Sequence, residues 1–253
     1  MAKIILSKLP TRAPKGLEKN EYKSKREEIS YKIGQLALKM QAEKKKSLLV
    51  VLQGMDSSGK DGVARKTFRY CAPSWTNAHA FGKPTDLEFA HDFLWRVHPH
   101  APAKGNISIF IRSHYEDVLI QRVHKWITPK RVTARFNAIN AWEKLLVEDN
   151  DTVVLKFFLN LSYEKQEKKL QERIDDPERN WKHKDGDWEE RKHWKAYMKC
   201  YEYVLNRSEI PWINVPADQR WYRDYVVAEE VLKALKKMKP QYPILKEKPT
   251  IDL

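Results

Sequence analysis

Two cysteines are all that the 253 residues contain, and Cys71 and Cys200 lie far apart with no Cys-x-x-Cys pairing. A disulfide framework and a cysteine zinc site are thereby excluded, and a reducing, cytoplasmic setting is the expectation. No segment approaches the roughly 18 apolar residues of a membrane span. The N-terminal Ile4-Ile5-Leu6 is too short for the apolar core of a signal peptide, so a soluble protein with no membrane partner is expected. His98-Pro99-His100 alternates like a metal clip but has no third ligand in sight, and reads as a surface turn. Acid is also scarce. With 34 Asp and Glu against 48 Lys and Arg the formal charge is +14, which recruits polyanions: nucleic acid, an anionic membrane or a polyanionic small substrate. Neither an RNA-binding aromatic signature nor a helix-turn-helix pattern is found, so nucleic acid is not the expected partner.

What the chain does contain is organised around one stretch. The apolar run Leu48 to Leu52 ends at Gly54-Met55-Asp56-Ser57-Ser58-Gly59-Lys60, a Gly-x-x-x-x-Gly-Lys pattern, and a helical segment from Val63 to Arg69 follows. Strand, loop and helix in that order make a phosphate-binding loop. The glycines let successive N–H groups face an anion, the helix points its positive end at the same spot, and Lys60 adds a mobile charge. The residue after the lysine is normally Ser or Thr, whose hydroxyl meets Mg²⁺, whereas here it is Asp61. With Asp56 in the loop as well, two carboxylates stand beside an anion site, which makes sense where Mg²⁺ bridges them to phosphates. Asp61 as a plain helix-start residue is the alternative.

The rest of the chain alternates strands and helices. Residues 1–20 form a basic arm that wraps either the domain or a partner, and Glu21 to Lys46 is an amphipathic helix with Tyr22, Ile29, Ile33, Leu36, Leu38 and Met40. Thr76 to Phe81 is a second strand, running into Gly82-Lys83-Pro84-Thr85, and Leu87 to Val97 looks helical. The strand Ile107 to Ile111 feeds into Arg112-Ser113-His114-Tyr115-Glu116-Asp117, whose acids are candidates for the metal-binding carboxylate beyond a strand end. Ser113 and Glu116 would also make a capping box. A helix from Tyr115 to Trp126 carries Arg122. The long helix Thr133 to Glu148 turns Phe136, Ile139, Trp142, Leu145 and Leu146 to a core. Thr152 to Leu159 is a strand, and Ser162 to Arg173 a charged helix. In 174–194 cations alternate with Trp181, Trp188 and Trp194, which suits a mobile lid, with an exposed helical hairpin as the alternative. Ile210 to Val215 is the last strand, Arg220 to Lys239 the closing helix and 240–253 a tail. This order predicts a single α/β domain over 1–253, with a parallel sheet covered on both faces.

Taken together, Gly54 to Gly62, Arg112 to Val118 with Arg122 beyond, Lys156-Phe157-Phe158-Leu159, and the lid around Arg173, Asp176-Pro177 and Trp181-Lys182 resemble the second family of polyphosphate kinases, over roughly Glu21 to Lys239. The resemblance implies a P-loop kinase fold similar to thymidylate kinase: a three-layer α/β sandwich with a helical lid. It implies transfer between inorganic polyphosphate and nucleotides (AMP, ADP, ATP) with Mg²⁺ or Mn²⁺, by a homo-oligomer, dimer or tetramer. The Tyr115-Glu116-Asp117 form, with Ile111 where diphosphate-preferring members carry aspartate, looks most like the subgroup accepting both AMP and ADP. On this reading Asp56, Lys60, Asp61, Arg112 and Asp117 are catalytic, and Asp56, Asp61 and Asp117 hold the metal. Lys60, Arg112, Arg122, Arg173 and Lys182 neutralise polyphosphate or the transition state, and Lys83, Pro84, Thr85 and Glu116 serve the nucleotide. An ATP-dependent nucleoside monophosphate kinase and a nucleic-acid-binding P-loop module are the rival readings.

Overall fold

Leu48 to Leu52 are wholly buried because the strand they form has a neighbour on each side and helices on both faces. A computed structural model describes residues 3–245. Its five strands are β1 (Ser47–Gln53), β2 (Thr76–Ala80), β3 (Ile107–Ile111), β4 (Thr152–Asn160) and β5 (Trp212–Pro216), in the order β2-β3-β1-β4-β5. All pairings are parallel, and Val50 stands between Ile109 and Leu155. The order reverses beside β1. The crevice at that switch point, beyond the carboxyl ends of β1, β3 and β4, is where an open parallel sheet binds ligands.

The helices are α1 (Lys19–Glu43), α2 (Lys60–Thr67), α3 (Asp86–Ala90), α4 (Ile120–Val123), α5 (Pro129–Asn150), α6 (Tyr163–Asp175), α7 (Asp185–Lys192), α8 (Trp194–Arg207) and α9 (Arg220–Met238). One core cluster joins α1, α2 and α9 to the sheet through Ile33, Val63 and Val231, and a second joins α5 and α8 to the opposite face through Phe136, Trp142 and Tyr201. Among the described residues no helix is long and apolar enough to cross a membrane.

Several local expectations need correction. The helix predicted over Leu87 to Val97 stops at Ala90: Thr85 and Glu88 close a capping box, and Asp92 Oδ1 then accepts Leu94 N–H and turns the chain. The helix predicted from Tyr115 is a 3₁₀ turn, His114–Val118, broken from α4 at Leu119, because burial of His114, Tyr115 and Asp117 overrides local propensity. Ser113 caps Tyr115 N–H while Glu116 turns away to Gln53, so no capping box forms there. Leu145 is half exposed instead of packed in the core. The helix α8 had no counterpart in the sequence reading. The described part of the arm lies on the chain itself: Leu6 is buried, Ile4 exchanges hydrogen bonds with Asn206, and Ala13 N–H donates to Gln219. Residues 246–253 of the predicted tail, like Met1 and Ala2, lie outside the described residues.

Candidate active site

The loop after β1 needs its two glycines for close approach as well as for backbone freedom. At Gly54 (φ +150°) a Cβ would stand 2.7 Å from Leu159 O, and at Gly59 (φ +90°) 2.0 Å from Arg223 Nη1. Ser57 (φ 65°) and Arg112 (φ 60°) also hold left-handed backbones, a conformation that costs such residues about 1–3 kcal/mol. Both sit at the same crevice.

Side chains from three helices fix the loop from behind. Lys60 Nζ donates to Gly54 O (2.7 Å) and Met55 O (3.2 Å), Gln166 to Asp56 O (3.1 Å), Lys169 to Ser57 O (3.3 Å) and Arg223 to Ser58 O (2.8 Å). Five successive carbonyls are thus turned to donors, and Ser58 N–H closes the loop on Met55 O (3.1 Å). Met55 anchors the loop in the core, while Asp61 is exposed in the first turn of α2. Arg191 holds α7 to α6: it donates to Tyr163 O, Gln166 and Glu167 and stacks on the Tyr163 ring at 3.4 Å.

A cleft of about 680 Å³ opens in front of the loop, lined by eleven lysine and arginine side chains against five carboxylates. Lys60, Arg112, Arg173 and Lys182 are brought together there, with Asp56 and Asp61. Asp56 pairs with Arg112; burial pushes its carboxyl up, but Lys60 and Arg112 outweigh burial and hold it below the ordinary value. Burial pulls the Lys60 ammonium down, opposed mainly by Asp56. Arg173 pairs with Asp187 and donates to Lys182 O (3.0 Å), which ties the segment 174–194 to the end of α6. Among the described residues Lys182 and Lys184 form no ion pair, and Lys182 stands over the Trp181 ring at 4.7 Å.

Other predicted residues stand apart. Asp117 does not line the cleft; it is buried behind it, accepting from Gln121 (2.6 Å), with Arg96 at 3.5 Å and Arg135 at 3.8 Å. Burial pushes it up to about 6 in spite of those two arginines. Glu116 is closer to the loop, bonded to Gln53 (2.8 Å) and acting on Lys60 and Arg112. Arg122 packs over the Tyr203 ring at 4.5 Å, away from the cleft. Lys83, Pro84 and Thr85 follow Phe81, which does line the cleft; the three themselves do not, and Thr85 is spent capping α3.

Sequence reasoning missed Gln166, Lys169 and Arg223. Burial pulls Lys169 down to about 7, helped by Arg223, Arg220 and Lys165 against Asp218. Its charge is therefore present below that pH and lost above it. We expect the affinity of the cleft for inorganic tripolyphosphate to fall as pH rises through about 7, and Lys169→Met to flatten that fall. Calorimetric titrations from about pH 6 to about pH 8.5 check it; an unchanged profile in the variant assigns the dependence elsewhere.

The same carboxylates can be asked whether they suit a metal ion. Among the described residues no three His, Cys, Asp or Glu side chains cluster closely enough to hold one alone. Asp56, Asp61 and Glu116 nonetheless all act on Lys60 from around the loop. One or two carboxylates completed by phosphate oxygens and water is the set Mg²⁺ accepts, so the residues fit an ion shared with a phosphate substrate.

The family model described as polyphosphate kinase 2 matches residues 16–243. The AMP/ADP-polyphosphate phosphotransferase of Meiothermus ruber is 42% identical over 205 residues, 80% of this chain and 76% of that protein. The ADP-polyphosphate phosphotransferase of Rhodopseudomonas palustris is 34% identical over 258 residues, 95% of this chain and 89% of that one. The crystal structure of polyphosphate kinase 2 from Arthrobacter aurescens TC1 superposes with a TM-score of 0.94 at 35% identity, covering 98% of this chain and 91% of that chain.

Proposed function

The chain belongs to the polyphosphate kinase 2 family, and from that premise we propose that it moves the terminal phosphoryl group of inorganic polyphosphate onto AMP and ADP, giving ADP and ATP, reversibly and with Mg²⁺. The observation that carries this reading is the cleft itself, a phosphate loop facing an excess of fixed cations. A donor made only of phosphates asks for charge and position and for little else.

In the transfer the bond between the terminal phosphorus and its bridging oxygen breaks, and a phosphate oxygen of the nucleotide bonds to that phosphorus. The shortened polyphosphate leaves with the electron pair. Lys60, the loop amides and Arg112 neutralise charge on the transferred group and the leaving chain. Arg173, tied to Asp187, and Lys182 supply the lid's cations. Asp56, with Asp61 and Glu116, would hold Mg²⁺, which would supply positive charge against the phosphates. Asp117, behind the site, acts through Gln121 and Arg135 on the turn that carries Glu116. The nucleotide approaches from the β2–β3 side, past Phe81 and the Lys83 to Thr85 turn.

The decisive test incubates purified protein with Mg²⁺, long-chain polyphosphate and either AMP or ADP, with products separated by chromatography. AMP is expected to give ADP and then ATP. Turnover of ADP alone would remove the dual-acceptor reading, and transfer from ATP to AMP with none from polyphosphate would replace the donor.

A further inference from the structure

A polymer gripped at one end must run on past the cleft, and two smaller cavities adjoin that cleft, with Arg220 as a wall common to all three. The first, of about 570 Å³, is walled by Glu172, Asp175, Asp176 and Asp218 against three cations. A polyanion entering it meets like charge. The second, of about 250 Å³, also shares Lys66 with the cleft and continues along Lys19, Lys23 and Arg26 of α1. Its one carboxylate, Asp224, is already bonded to Lys66 (2.6 Å) and Arg223 (2.6 Å). Among the described residues Lys19 and Lys23 form no ion pair, whereas Lys25 and Arg26 beside them pair with Glu21 and Glu27. Positions 19, 23 and 26 recur at helical spacing, so their side chains share one side of α1 over about 10 Å of its axis.

We propose that this groove on α1 is a second polyphosphate subsite, which takes the chain from the cleft across Lys66 and Arg220 and carries the units beyond the reacting end. The inference rests on the donor proposed above. Its chemistry is that of a repeating anion on a row of cations, non-directional and sensitive to salt. Short polyphosphates fill only the cleft, while long ones also occupy the groove. The site thereby distinguishes substrates by length although it touches no reacting atom.

The test is the double variant K19E/K23E. Both lysines are exposed and lie in the opening turns of α1, where glutamate suits the helix dipole, so the fold is retained. Binding of tripolyphosphate and of long-chain polyphosphate is measured by calorimetry at low and high salt, alongside phosphorylation of AMP. For the long chain the variant should lose roughly tenfold in affinity and show a shallower salt dependence. Tripolyphosphate should stay within about twofold at the higher salt, since neither changed side chain lines the cleft. Equal losses for both lengths, or none for either, overturn the groove. Long-chain transfer with unaltered affinity in the variant sinks the groove and leaves the function. Length-selective loss of binding in a protein that transfers nothing to nucleotides sinks the function and leaves the groove.

Discussion

Lys60→Ala is expected to lower kcat by roughly a hundred- to a thousandfold without unfolding the protein. The ammonium is held by Gly54 O and Met55 O in a site with 6% exposure, where a charge acts at far greater strength than at the surface. A transferred phosphoryl group spreads its charge over oxygens that, without Lys60, the loop amides and Arg112 would have to meet. Stability should change little, and for a stated reason. Burial pulls the Lys60 pKa down, so this lysine is a cost the folded chain carries for the site, and removing it relieves that cost. Asp56 keeps Arg112 as its partner in the variant. Steady-state kinetics with saturating polyphosphate and ADP, next to a thermal melt, separate the two effects. A kcat within about threefold of the parent would mean that the loop binds phosphate without acting on the transfer.

The phosphate loop was legible in the sequence because its demands are local. Glycines at fixed offsets, a strand before and a helix after are written in fifteen consecutive residues. The parallel sheet covered on both faces followed from the alternation of elements, whereas the strand order did not. Lys169 and Arg223 were not legible, since each sits in a helix whose charges look like an ordinary solvated surface. Only the packing of α6 and α9 against the loop turns them inward. The converse holds for Arg122 and Asp117, whose positions beyond β3 suggest the cleft. A 3₁₀ turn where a helix was expected rotates them to Tyr203 and to Arg96 instead. Tertiary burial sets that rotation, and nothing in the local pattern reports it. In β4 the sequence does carry a sign of this kind: a lysine set in the apolar run from Val153 to Leu159 implies a buried partner.

That lysine supports the second large effect, a loss of about 3–5 kcal/mol of stability in Lys156→Met. Lys156 and Glu143 are 0% and 1% exposed and meet at 2.6 Å; Tyr115 Oη accepts from Lys156 (2.7 Å) and donates to Glu143 (2.9 Å). His114 lies 3.2 Å from the same carboxylate and, held below its ordinary pKa by burial, brings no lasting charge. The variant therefore leaves Glu143 as a buried anion without a cation. Its carboxyl, now below the ordinary value, should rise above it and take a proton. The sign of the pH dependence follows. A carboxyl raised in the folded state holds a proton that the unfolded chain releases, so the variant loses stability as pH climbs above the unfolded value. Its deficit against the parent should be small near pH 5 and largest near pH 8, equivalent there to a fall of roughly 6–20 °C in Tm. Adding Glu143→Met should restore most of the loss, because an apolar pair of similar volume no longer buries a charge. A deficit of a degree or two, the same at every pH, would show that this ion pair contributes nothing beyond filling space between β4 and α5.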